Sequence, residues 1–549
     1  EELFEIFDYV RAKGSIPLCT PWDIKSLYKL ENYNLAAYKV ASADFTNFKL
    51  IEAIANTGKL MICSTGMATE KEIRQGIKFI KKLGCPHVLL HCNSTYPAPF
   101  KDINLSYIAH LAKLSKGLVG YSGHERDINI SIAAVALGAK VIEKHFTLDK
   151  NMEGNDHKVS LLPDEFRRMV DGIRQVEESL QTSSERTLSQ GEMMNRENLA
   201  KSLVANIAIP AGQEITELMI DIRSPGQGLQ PNRISDLIGR KLQNSKKEGD
   251  FFFENDLNNN LALPGKYKFP RNWGIPVRYH DLELMRHMSN MDLLEIHLSY
   301  TDMQMNFKEF ISKPLDLDLV VHAPELFKGD HTLDLCSLDD EYRNRSIKFL
   351  QETVDLTLEL KEYFRNKDDI LMVTNVGGFS DKSHLEKSKH QELYSILEDS
   401  LSKLQTKGVE IIPQTMPPFP WHFGGQQFHN LFVDAEGIVE FCKKNNMRVC
   451  FDASHSKLAC NFNKHSFTEF TQKIGPFVAH MHIADASGVD GEGLQINEGD
   501  IDWKSFMSVI NKYSPEASFI PEIWQGHKNN GEGAWEALNK LTELSVSNK

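Results

Sequence analysis

The stretch GLVGYSGHERD, residues 117–127, and its counterpart AKVIEKHFTLDK, residues 139–150, decide how this chain is read. Each is a short, apolar, β-rich run that stops on a histidine, His124 in the first and His145 in the second, with room for one helix between them. Strands joined by a helical crossover run parallel, and neighbouring parallel strands lie about 4.8 Å apart. Histidines at equivalent ends of such strands reach a common metal or substrate. A lone histidine there reads as a satisfied polar residue at a barrel rim; two on consecutive units, beside Lys39 and Ser122, read as a site.

Working outward, short β-rich runs alternate with helical patterns from 15 to 146, the pattern of βα units on a parallel sheet. Six strand ends are counted: SIPLCT, AAYKVAS, LMICSTG, HVLLHCNS, LVGYSGH and KVIEKHF. Polar and reactive residues gather after each: Thr20, Lys39 with Ser42, Ser64 with Thr65, Asn93 with Ser94, Ser122 with His124, and His145. In a (β/α)8 barrel that end carries the active site. Six units are two short of eight, and an open barrel would expose sheet edges, so the expectation is a barrel lacking its first two units.

Beyond a helical stretch near 163–181, LQTSSERTLSQGEMMNREN is polar and reads as a loop. Residues 196–257 carry short strands and Pro/Gly turns, a small β-rich module, and LNNNLALPGKYKFPRN reads as a linker. The last region reaches eight strand candidates: GIPVR, LLEIHLS, LDLVVHAPE, ILMVTNVGG, VEIIPQTMP, RVCFDASH, VAHMHIAD and FIPEIWQG. They end on His322, Asn375, Gln414, Asp452 with His455, His482 with Asp485, and Glu522. The fold class is therefore α/β: a partial (β/α)8-type barrel over 1–185, a small β-rich domain over 196–257 and a complete second (β/α)8 barrel over 265–549.

Composition bounds the function. At 549 residues the chain is too long for one core. A formal charge of −13 argues against a nucleic-acid binder, which needs clustered Lys and Arg. Eight scattered cysteines without a CxxC pair read as buried thiols in a reducing, cytoplasmic setting. No apolar run approaches the roughly 20 residues of a membrane span. The opening EELFEIFDYVRAKG lacks a signal peptide's charge pattern and a Met, and reads as the middle of a domain.

The series YKVASADFTN, STGM, LLHCNSTYPAP, VGYSGHE and EKHFTLDKNMEGNDHKVSLLPDEF closely resembles the N-acetylneuraminate (sialic acid) synthase family, which includes legionaminic and pseudaminic acid synthases. The 196–257 segment, with ANIAIPAGQEIT and RSPGQG, resembles that family's antifreeze-like SAF domain. The resemblance implies condensation of phosphoenolpyruvate with an N-acylated hexosamine of the N-acetylmannosamine type, using a divalent metal, usually manganese. It makes His124 and His145 metal ligands and, with Lys39, catalytic residues. Thr20, Lys39, Ser42, Ser94 and Ser122 match the positions that hold phosphate and carboxylate. Tyr96, Asp156 and Asp44 match acceptor-sugar positions, Asp44 standing where many members carry Glu. In many members a homodimer swaps SAF domains, and an Arg just before Pro-Gly reaches the acceptor; here Ser224 holds that place and Arg223 lies one earlier. The family's first two strands carry a Glu, a Lys and a Gln with no counterpart here, so the chain as given is expected not to catalyse condensation. The alternative reading is an inactive binding or assembly subunit.

HAPE, DASHS, HMHIADAS and PEIW resemble the xylose isomerase-like sugar phosphate isomerase/epimerase superfamily. That resemblance implies a second divalent metal, manganese, magnesium or zinc, on Asp452, His482 and Glu522. Gln414 stands where a Glu is expected, a weaker ligand that cannot serve as a base, which leaves Glu522 for proton transfer. His322 and His455 are expected nearby as substrate-binding groups. The superfamily's nuclease branch fits poorly, because the acidic chain lacks a basic stripe to track DNA.

Overall fold

A computed structural model describes residues 2–180, 185–258, 261–366, 368–422 and 425–546. The chain divides into two compact units, Glu1–Arg186 and Thr187–Lys549.

In the first unit, strands Ala37–Val40, Leu60–Ser64, His87–Cys92, Val119–Gly123 and Ile142–Lys144 form one parallel sheet in sequence order. Helices return the chain between them, and Glu70–Leu83 shows why. Thr69 and Glu72 cap its first turn reciprocally, Gly84 closes it at φ 68°, and Ile73, Ile77 and Ile80 bury one stripe. Gly76 on that stripe leaves space for the Phe45 ring, which an added Cβ would meet at 2.8 Å. The first expected strand, SIPLCT, is reduced to a single bridge between Cys19 and Tyr38. Pro17 has no N–H to give a ladder and Pro21 follows at once. The described strands leave the sheet open.

The polar stretch expected as a loop is in good part the helix Gln190–Leu199, capped by Ser189 with Glu192; residues 181–184 lie outside the described residues. The small β-rich module pairs Ser202–Ala205 with Ile220–Arg223 antiparallel, and adds the single bridges Val204–Phe251, Ile209–Lys246 and Glu214–Lys241 around Leu203, Ile215, Leu237 and Phe252.

All eight expected strands of the last region form: Gly274–Val277, Leu293–His297, Asp318–His322, Ile370–Thr374, Val409–Pro413, Val449–Asp452, Val478–Ile483 and Ser518–Pro521. They make sheets of five and three strands, and the bridges Gln414–Cys450 and Trp273–Phe519 close these into a barrel. Because side chains alternate along a strand, Leu293, Val320, Ile412, Cys450 and Ile520 cluster together in one apolar layer. Residues two further on, Glu295, His322, Gln414, Asp452 and Glu522, rise toward the C-terminal mouth, joined there by His482.

Candidate functional site

The first unit gathers its chemistry at the strand ends. Ser122 Oγ donates to Glu143 Oε1 at 2.8 Å, and Lys39 Nζ stands 3.5 Å from the same oxygen. His124 Nδ1 lies 2.8 Å from the Asn93 carbonyl, which takes its N–H and leaves Nε2 as a donor atom. Cys92 Sγ stands 3.6 Å from His124, Ser42 and Ser94 alike. Burial pushes the Cys92 thiol up, but the hydrogen bond and charge of His124, together with the Ser42 and Ser94 hydroxyls, bring the net direction down. Burial likewise works to lower His124, and Cys92 lifts it above its ordinary value. His145 is lowered by burial and by His124. The two imidazole centroids are 5.2 Å apart, with the Tyr96 ring 4.2 Å from His124 and 5.8 Å from His145. Asp156 closes the group, 3.8 Å from His145.

Three further expected residues have these surroundings. Thr20 follows the one-residue bridge at Cys19. Asp44 ends the short turn Ser42–Asp44 and accepts from Asn47 at 2.9 Å. Arg223 belongs to the second unit, where it pairs with Asp221 at 2.8 Å. Glu143 and Cys92 are the residues sequence reasoning passed over. Glu143 had a signal, a carboxylate inside the β-rich run VIEKHF.

The second barrel's mouth is a buried network of acids and imidazoles. His482 Nδ1 lies 2.6 Å from Glu522 Oε2, 3.1 Å from Gln414 Nε2 and 3.8 Å from Asp452 Oδ2. Its Nε2 is held at 3.0 Å by Glu295, which also takes His480 at 2.7 Å. Burial disfavours charge at both partners, yet His482 and His480 hold the Glu295 carboxyl well below its usual range. Cys450, Glu295 and Glu522 likewise lift His482 well above its own. Against burial, His482 brings Glu522 down to about 2. Burial raises Asp452 to about 6. His455 accepts nothing free: its Nε2 stands 3.0 Å from Glu492, its Nδ1 3.0 Å from the Thr415 carbonyl, and its backbone N–H donates to Asp452 Oδ1 at 2.8 Å. Burial opposes its charge, but Asp452 and Glu492 raise it to about 10. His322 lies with its ring 5.7 Å from that of His482.

Asp452, His482 and Glu522 offer ligand atoms all within 4.8 Å of one another, and Glu295, His480 and His482 form a second such group. A divalent cation fits the first group. Glu295 behind His482 fixes the Nε2–H and orients Nδ1 outward, the carboxylate–histidine support that ligating imidazoles need, and two carboxylates balance the ion's charge. Gln414 lies in the same cluster, its amide 3.0 Å from Asp452 Oδ2. Sequence reasoning also passed over Glu295 and His480, although both are polar residues inside apolar strands. Glu492 gave no such signal, because it reaches the mouth on the hairpin Asp485–Ser487/Gly491–Leu494.

Strand-end chemistry of this kind at two parallel α/β sheets defines a barrel enzyme with two candidate centres. The family model for NeuB matches residues 1–185, that for the SAF domain 200–258, and that for the xylose isomerase-like TIM barrel 282–544. A similar protein of Methanocaldococcus jannaschii, uncharacterized, is 41% identical over 47% of this chain and 76% of its own. N,N'-diacetyllegionaminic acid synthase of Campylobacter jejuni is 39% identical over 43% of this chain and 72% of its own. N-acetylneuraminate-9-phosphate synthase of Homo sapiens is 36% identical over 46% and 71%. The chain belongs to the NeuB family and is a synthase-type transferase, carrying an SAF domain and an isomerase-like barrel. Among the described residues no helix is long and apolar enough to cross a membrane.

Proposed function

We propose that the first unit condenses phosphoenolpyruvate with an N-acylated amino sugar of the N-acetylmannosamine type, giving a nonulosonic acid and inorganic phosphate. The observation that carries this reading is the convergence of Lys39 and Ser122 on Glu143 beside Ser42, Ser94 and His124 around Cys92. The enol carbon bonds to the aldehyde carbon, water adds at the carbon bearing the ester oxygen, and phosphate leaves by C–O cleavage. Lys39 and the hydroxyls of Thr20, Ser42, Ser94 and Ser122 hold the carboxylate and phosphate. Tyr96, Asp156 and Asp44 receive the acceptor's hydroxyls, with Arg223 of a swapped SAF domain joining them in a homodimer. His124 and His145 would hold a divalent cation, manganese in this reading, which when bound would supply Lewis acidity toward an aldehyde oxygen. Free thiols at all eight cysteines support a cytoplasmic setting.

The second barrel is, in this reading, a sugar isomerase or epimerase. Asp452, His482, Glu522 and Gln414 would hold a divalent cation that draws charge from sugar oxygens. Glu522 is kept ionised to move a proton at a substrate carbon, and His322 and His455 bind the sugar.

Incubating the full-length protein with phosphoenolpyruvate and a panel of N-acylated hexosamines, followed by mass spectrometry, tests the condensation. Acceptor-dependent phosphate release with a matching nonulosonate mass is expected; such release by these 549 residues alone would set aside the expectation of an inactive open barrel. No release with any acceptor sinks the proposal. His124→Ala should cut bound manganese by elemental analysis, and wild-type manganese content in that variant would remove His124 from the ligands. Gln414→Glu should tighten metal binding at the second barrel in a calorimetric titration.

A further inference from the structure

Six carboxylates line the cavity at the second barrel's mouth, about 700 Å³ in volume: Glu197, Asp281, Glu325, Asp452, Glu492 and Glu522. Against them stands one guanidinium, Arg278, already paired with Asp302 and donating to Ser299 Oγ at 2.8 Å. His455 is likewise taken, between Asp452 and Glu492. Even with a divalent cation balanced by Asp452 and Glu522, the wall keeps Asp281 and Glu325, beside a Glu197 that is paired with Lys528. A phosphate dianion entering here meets carboxylates and no unpaired Lys or Arg among the described lining residues. Sugar hydroxyls meet acceptors instead.

Glu197 does not come from the barrel. It lies on the helix Gln190–Leu199, ahead of the SAF domain, and that helix is fastened to the mouth at three points. Gln190 Nε2 donates to Glu492 Oε2 at 3.0 Å, and Gly191 lies so close to Trp421 that an added Cβ would meet the ring at 2.3 Å. Glu197 itself, its side chain only 16% exposed, accepts from Gln525 at 3.0 Å and pairs with Lys528 at 3.2 Å. It therefore neutralises the Lys528 ammonium, which would otherwise attract an anion.

We infer that Glu197 is a specificity residue of the second barrel, selecting uncharged sugars and turning away phosphorylated ones. The inference rests on reading that barrel as a sugar site, and adds to it a residue supplied from outside the barrel. The test measures binding of D-fructose, D-psicose, D-xylulose and D-ribulose, each beside its phosphate ester, to the intact manganese-supplemented protein by ligand-observed magnetic resonance. At least one free sugar should bind about tenfold more tightly than its ester, and Glu197→Gln should shrink that ratio to about threefold, chiefly by tightening the ester, since one unit charge at a surface cleft carries about that much. Equal wild-type affinities, binding of no sugar in the panel, or an unchanged ratio in Glu197→Gln overturns the inference. Asp452→Asn separates the two claims: sugar binding untouched by it removes the metal reading, while the changed ratio in Glu197→Gln still stands.

Discussion

His91 shows how one buried imidazole makes stability depend on pH. Its Nε2 donates to the Ile103 carbonyl at 2.6 Å, and burial lowers its pKa below 6.5. As pH falls through about 6.5 the unfolded chain takes up this proton before the folded one does. Stability present above that pH is therefore lost on acidification, by up to about 1.4 kcal/mol per pH unit. His91→Gln should show a shallower loss between about pH 7 and 5, read by amide exchange along His87–Cys92; identical slopes would clear His91 of the effect. Other single residues show what could be read at this scale. Strand ends such as His124, His145, Asp452 and His482 announced themselves because an apolar run stopped on a polar group. Glu143 and Glu295 lay inside such runs, where a carboxylate survives only with partners that lie far off in sequence, His480 and His482 for Glu295.

At the scale of elements, the helix Gln190–Leu199 carries the clearest prediction. Its composition is polar because it buries Gln190 and Gly191 rather than an aliphatic stripe, which is why periodicity missed it, although Ser189 and Glu192 spell a capping box. Gly191→Ala would press a methyl group into the Trp421 ring. It should destabilise the helix's docking by about 1–3 kcal/mol, seen as faster amide exchange over Gln190–Leu199. Unchanged exchange would mean that the ring gives way freely. SIPLCT erred in the opposite direction: its β-rich residues suited a strand, but Pro17 within it and Pro21 just after it confined it to one bridge.

The molecule as a whole should unfold in parts. Each unit has its own apolar core, around residues such as Leu89 in the first and Ile275 in the second. Scanning calorimetry should resolve at least two transitions, and Leu89→Ala, costing about 3 kcal/mol, should lower only one. Transitions moving together would show a single cooperative body. At this scale the sequence by itself determined the alternation of strands and helices, the eight strands of the second barrel and the strand-end residues, because period and turn chemistry are local. Which partners those residues meet was decided by the tertiary structure. Barrel closure sets Glu295 behind His482, a hairpin brings Glu492 to His455, and a helix outside the barrel delivers Glu197 to its mouth. These pairings join residues tens to hundreds of positions apart, and only packing places such groups within bonding distance.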